Sequence, residues 1–279
     1  MATVSIRAAR APSRRGRSRR GRSLLRRSLR EARRRARWAR RRLKGAPRWA
    51  QIGVALSILL LVSAAANLAY QVARKPTELF FPIGSALDKS PAETWRDYGP
   101  LFRRYSTAAI PPELLAALAQ VEGAGNPVAR TYWRWRLTWH PFGLYEPASS
   151  AVGMYQMTDG AFAEARRFCI RDHAVVEECW LNGLYTRVLP SHAIELAAIY
   201  LDRKVAAILA ERPPLHASAR QKQDLAAIVH LCGAGPARAF ARRGFRLAPG
   251  ERCGDHAAAA YLSGVHGMAR RFQSLAAED

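Results

Sequence analysis

Acidic side chains are almost missing from the first 48 residues, where Glu31 stands alone against 20 Lys+Arg, a local charge of +19. The other 231 residues carry 25 basic and 20 acidic side chains, so most of the overall +24 belongs to this tail. The body of the chain is only mildly basic and has no need of nucleic acid as a partner. Several chemical signatures are missing as well. No G-x-x-x-x-G-K-[ST], no G-x-G-x-x-G opening a helix, no G-x-S-x-G and no H-E-x-x-H occurs, which removes the common nucleotide, serine-hydrolase and zinc-protease readings. Cysteine is scarce: Cys169, Cys179, Cys232 and Cys253 include no C-x-x-C pair, and their gaps do not suggest a zinc site. Internal repeats and β-α alternation are also lacking, which excludes solenoids and parallel-sheet folds.

One long uncharged run is present. Trp49–Tyr70 holds 22 residues without a charge. As a helix it would cover roughly 33 Å, enough for the ~30 Å hydrocarbon core of a bilayer. Trp49 and Tyr70 sit where interfacial aromatics are expected, and the Arg excess before the run predicts that residues 1–48 are cytoplasmic. A cleaved signal peptide is the rival, but its basic region would be about 48 residues long. The expected arrangement is thus an Arg-rich tail (1–48), a single-pass transmembrane helix (49–70), a linker or lead-in (71–108) and an external domain (109–279).

Within the tail, residues 1–23 have no apolar periodicity and are predicted to be disordered. Leu25, Leu29, Ala32, Ala36, Ala39 and Leu43 form one narrow apolar stripe on a basic helix, suited to an anionic leaflet. Charge alone equally allows RNA or DNA, and the plain alternative is a solvated topogenic tail with no specific partner. All four cysteines follow the span, where the compartment would be oxidising, so disulfides are expected. Three pairings are possible. Sequence proximity favours 169–179 with 232–253, and the sequence alone leaves the choice open.

The external domain reads as mainly α. Pro111-Pro112 open a helix that runs to Glu122, and Gly123, Gly125 and Pro127 end it. Further helices are predicted over 159–168, from a Ser191 cap onward, from a Ser218 cap to Gly233, and near 236–243 and 257–275. Only Tyr132–Trp139 suggests extended backbone.

Glu122 is the best candidate for chemistry. A carboxylate at the end of an apolar helix faces the negative end of the helix dipole and is desolvated by its neighbours, the setting a general acid uses. Three segments give it context: Gln120-Val-Glu122-Gly-Ala-Gly-Asn-Pro127, Ser150-Ala-Val-Gly-Met-Tyr-Gln156-Met, and Val229-His-Leu-Cys-Gly-Ala-Gly235. In this order they resemble the three motifs of the soluble-lytic-transglycosylase family, and Tyr261-Leu-Ser-Gly-Val265 loosely matches a later one. The resemblance covers roughly residues 110–270.

The resemblance implies a lysozyme-like helical domain that cleaves the β-1,4 bond between N-acetylmuramic acid and N-acetylglucosamine in peptidoglycan. Glu122 would be the catalytic acid/base, while Gly153, Met154, Gln156, His230 and Tyr261 would bind the glycan. It also implies that one carboxylate suffices, because the substrate's own N-acetyl group supports the positive ring while a 1,6-anhydro end forms. No metal or organic cofactor is implied. The location implied is the periplasmic face of a bacterial inner membrane. Gly123 replaces the serine that usually follows the glutamate, Ser150 a glycine, Tyr155 a methionine, His230 a tyrosine and Leu231 an asparagine. Two rivals stand beside this reading. A lysozyme-type hydrolase would need a second carboxylate, with Glu146, Asp159 or Asp172 as candidates. A non-catalytic envelope scaffold would need none. Between the first two motifs, the aromatic and Arg-rich segment Tyr132–Tyr145 suits either sugar stacking or core packing.

Overall fold

A computed structural model describes residues 44–80, 84–177, 179–211 and 215–279, together with Glu31, Arg34, Arg37, Trp38 and Arg41. The expected disorder of residues 1–23 and the apolar stripe Leu25–Leu43 fall outside the described residues. The chain divides into two compact units, residues 1–66 and 67–279.

The helix α1 covers Arg48–Arg74. It is long and apolar enough to cross a membrane. Its last residues, from Asn67, belong to the second unit, which therefore begins well before the predicted boundary at 109. The lead-in is folded structure rather than a tether. α2 (Pro91–Tyr105) starts on a reciprocal cap: Ser90 Oγ accepts the Glu93 N–H, and Glu93 Oε2 accepts the Ser90 N–H at 2.8 Å. Trp95, Phe102 and Tyr105 on this helix are buried in the core. The four prolines of the region suggested a connector, but Pro91 only starts the helix and Pro100 lies on its exposed side.

α3 (Pro112–Gly123) is the central helix, and Leu114 to Ala119 are buried without a gap. It has no side-chain cap at its start, and burial on every face supplies much of its stability. It packs on α2 and on the last helix, α8 (Ala258–Glu278). Between them lie α4 (Asp159–Ala165), α5 (Pro190–Leu209), α6 (Ala219–Cys232) and α7 (Ala234–Arg242). The predicted Ser218 cap on α6 is present, with Gln221 completing the box. The predicted Ser191 cap is not: α5 begins at Pro190 after Leu189, so Ser191 lies inside its first turn.

Three small antiparallel hairpins complete the unit: β1 (Trp133–Trp135) with β2 (Tyr145–Pro147), β3 (Cys169–Arg171) with β4 (Ala174–Val176), and β5 (Arg252–Cys253) with β6 (His256–Ala257). Disulfides join Cys169 to Cys179 and Cys232 to Cys253, the pairing that sequence proximity favours, with Cα separations of 5.8 and 5.2 Å. The second fastens the end of α6 to the hairpin that feeds α8.

Candidate active site

α3 delivers Glu122 one residue before the helix ends. Ala124 adopts a left-handed conformation (φ 48°) and the Gly125 N–H turns back to the Ala119 carbonyl at 3.1 Å. Both glycines here have a steric reason. A Cβ on Gly123 would stand 2.8 Å from Met154 Cα, against backbone that cannot swing aside. A Cβ on Gly125, at φ +63°, would meet Thr94 Oγ1 at 2.2 Å. The helix end is therefore pressed against the second sequence motif.

Two other helices bring polar groups to the same carboxylate. Tyr261, near the start of α8, donates its hydroxyl to Glu122 Oε1 at 2.5 Å. His230, two residues from the end of α6, places Nε2 3.6 Å from that oxygen. Among the described residues, Glu122 Oε2 has no hydrogen-bond partner, and the Glu122 side chain keeps 20% of its exposure. Burial pushes the Tyr261 hydroxyl far above the usual tyrosine range, and the adjacent Glu122 carboxylate adds to the shift. Tyr261 therefore stays protonated at any physiological pH and acts as a fixed donor to Glu122.

The pair Glu122–His230 stands between two recesses. Glu122 lines an open groove of about 530 Å³ whose walls include Asp88, Asn126, Arg130 and Tyr132. His230 lines a smaller recess with Gln156, Thr158 and Tyr200. Of the expected second-motif residues, only Gln156 reaches such a surface. Its backbone is left-handed (φ 44°) and its amide donates to the Gly153 carbonyl at 2.9 Å. Met154, expected in the glycan cleft, is instead completely buried in the core. Gly153, also expected in the cleft, is buried against backbone, because a Cβ there would lie 2.4 Å from the Arg187 carbonyl oxygen and 3.2 Å from that of Pro127. Both residues hold the loop to the end of α3 and present no surface to the groove.

The sequence did not single out the groove's opposite wall. Asn126 is almost fully buried and fastens residues 84–88 to the site: its amide donates to the Gly84 carbonyl at 2.7 Å and to Asp88 Oδ1 at 2.9 Å. Gln120 adds a bond to the Lys89 carbonyl at 2.8 Å, and the Lys89 N–H donates to Ala124 O. The only trace of this wall in the sequence was the Asn-Pro pair after Glu122. Asp88 thus shares the groove with Glu122, a carboxylate no motif pointed to. Of the three acids considered for a second carboxylate, Asp159 pairs with Arg187 at 2.7 Å and Glu146 with Arg136 at 3.6 Å. Asp172 sits in the β3–β4 turn. None of the three lines the Glu122 groove.

Among the described residues no cluster of His, Cys, Asp and Glu could hold a metal ion. The chain matches no family model. No curated protein matches it either.

Proposed function

We propose that the chain is a membrane-anchored peptidoglycan lytic transglycosylase, with a lysozyme-like domain held at the periplasmic face of the inner membrane. The observation that carries this reading is the meeting of Glu122, His230 and Tyr261. These residues lie on three helices and come from three separate motifs of the resemblance, yet they converge on one carboxylate oxygen. A carboxyl group so placed has one oxygen oriented by a fixed donor, and its residue lines an open groove of about 530 Å³.

The chemistry follows from that placement. Glu122, protonated, gives its proton to the oxygen that leaves from the muramic acid carbon. The N-acetyl group of the same sugar supports the positive charge that develops. The carboxylate that results takes the proton of the sugar's 6-hydroxyl, whose oxygen then closes on the ring carbon. One residue acts first as acid and then as base. Tyr261 holds the carboxyl group in one orientation through both steps, and His230 offers a second polar contact at the same oxygen.

A second reading draws on Asp88. A hydrolase that inverts or retains needs two carboxyl groups at one cleft, and Asp88 lines the same groove as Glu122. Turnover of purified sacculi by the full chain in detergent separates these readings from a glycan-binding scaffold. Glu122→Gln should abolish release of soluble fragments while sacculus binding and helical content are unchanged. Asp88→Asn should leave most of the release intact. Full release by Glu122→Gln would reject the assignment, and loss in Asp88→Asn equal to that in Glu122→Gln would favour the hydrolase.

A further inference from the structure

The hairpin between the first two motifs exposes three of its large apolar side chains. Leu137 and Trp139 are fully exposed, and Trp135 keeps 78% of its surface in solvent. Apolar tips of this size rarely stand in water without a partner. The aromatics of the segment are divided. Tyr132 lies in the wall of the Glu122 groove, whereas Trp135, Leu137 and Trp139 do not. Sugar stacking beside the reacting bond therefore accounts for Tyr132 and leaves the tip unexplained.

The hairpin is fastened to the end of α1. Asn67 Nδ2 donates to the Tyr145 carbonyl at 2.8 Å, and Gln71 Nε2, almost fully buried, donates to the Phe142 carbonyl at 2.7 Å. Tyr70 stacks on Phe142 with ring centroids 4.7 Å apart. Behind the hairpin, the fully buried Glu78 receives the Trp133 indole N–H at 2.7 Å and pairs with Lys75 and Arg130. Asn67 and Tyr70 are the last residues of the uncharged run, so the hairpin lies beside the segment that would meet the headgroups. Cations stand at the same level: Arg74 and Arg134 line one cavity with Gln71, and Arg74 also lies 5.7 Å from the Tyr70 ring. Aromatic rings and arginines around the end of a span are the composition of a membrane interface.

We propose that the tip of the β1–β2 hairpin is a membrane foot, inserting Trp135, Leu137 and Trp139 into the headgroup layer of the bilayer that α1 crosses. The inference rests on the reading of α1 as a transmembrane helix. Its consequence is positional. Tyr132, in the groove wall, directly precedes the strand that carries the foot, so membrane contact would fix the height and tilt of the Glu122 groove above the lipid.

Tryptophan emission tests it, with the full chain in bilayers of phosphatidylethanolamine and phosphatidylglycerol whose acyl chains carry bromine near the headgroup. The wild type should be quenched. The double variant Trp135→Phe, Trp139→Phe should lose a large part of the bromine-sensitive emission, and Trp49→Phe should lose a separate part that reports the span. Unchanged bromine-sensitive emission in the double variant, with the Trp49→Phe loss present, would overturn the foot and leave the span standing. Absence of any quenching in the wild type would overturn both. In detergent, an emission shift on adding glycan strands that the double variant abolishes would assign the tip to sugar and also overturn the proposal.

Discussion

Tyr261 and His230 share one oxygen of Glu122, and their side chains should contribute to rate more than to stability. His230→Ala should lower turnover of sacculi by about 10- to 10³-fold, within the range for a supporting polar group. His230→Tyr should retain more activity than His230→Ala, because a ring with a donor can still reach Glu122. Equal wild-type rates for both would show that the 3.6 Å approach has no catalytic weight. Gly123 makes the opposite kind of prediction. The transglycosylase motif that this segment resembles has a serine there, but the Met154 backbone fills the space a Cβ would need. Gly123→Ser should therefore destabilise the fold by about 1–3 kcal/mol, as overpacking does, and lower the thermal midpoint. An unchanged midpoint would mean that the helix end is looser than its contacts indicate. At this scale the sequence singled out Glu122, His230 and Tyr261, and the structure brings their side chains together at one oxygen. It misplaced Met154, whose burial depends on which way a loop turns after Gly153.

The helices were largely legible as elements because apolar period and caps are local signals. The Ser218 box and the Pro111–Pro112 start are examples. The lead-in was not. Prolines at 76, 82, 91 and 100 resemble punctuation in the sequence, and only tertiary contacts reveal that Trp95, Phe102 and Tyr105 complete the core. The wall built by Asn126 and Gln120 was hidden for the same reason, since its partners lie 26 to 42 residues away. The disulfides make this scale testable. Cys232–Cys253 joins the end of α6, which carries His230, to the hairpin ahead of α8, which carries Tyr261. Replacing both cysteines with serine should cost about 2–4 kcal/mol of stability. It should also reduce turnover at temperatures where the variant is still folded. The same change at Cys169 and Cys179 should cost stability with less effect on turnover, because that bridge lies across the β3–β4 hairpin. Equal turnover losses from the two pairs would argue against a role in holding the site.

For the whole molecule, the charge asymmetry and the apolar helix make one statement about orientation. A chain with +19 before the span and +5 after it should leave the larger unit outside the cytoplasm. A C-terminal alkaline phosphatase fusion should be active in a Gram-negative host, and a stable but inactive fusion would reverse the topology. On the proposed topology the groove would lie on the side of the membrane that holds the proposed glycan substrate. The central claim is that one carboxyl group, Glu122, serves as both acid and base, with the sugar's own N-acetyl group in place of a second carboxylate. Mass analysis of the fragments that the full chain releases from purified sacculi tests it most directly. The account predicts muramic ends in the 1,6-anhydro form, lighter by one water than hydrolysed ends, from the wild type and none from Glu122→Gln. Reducing muramic ends from the wild type, or anhydro ends from Glu122→Gln, would contradict it.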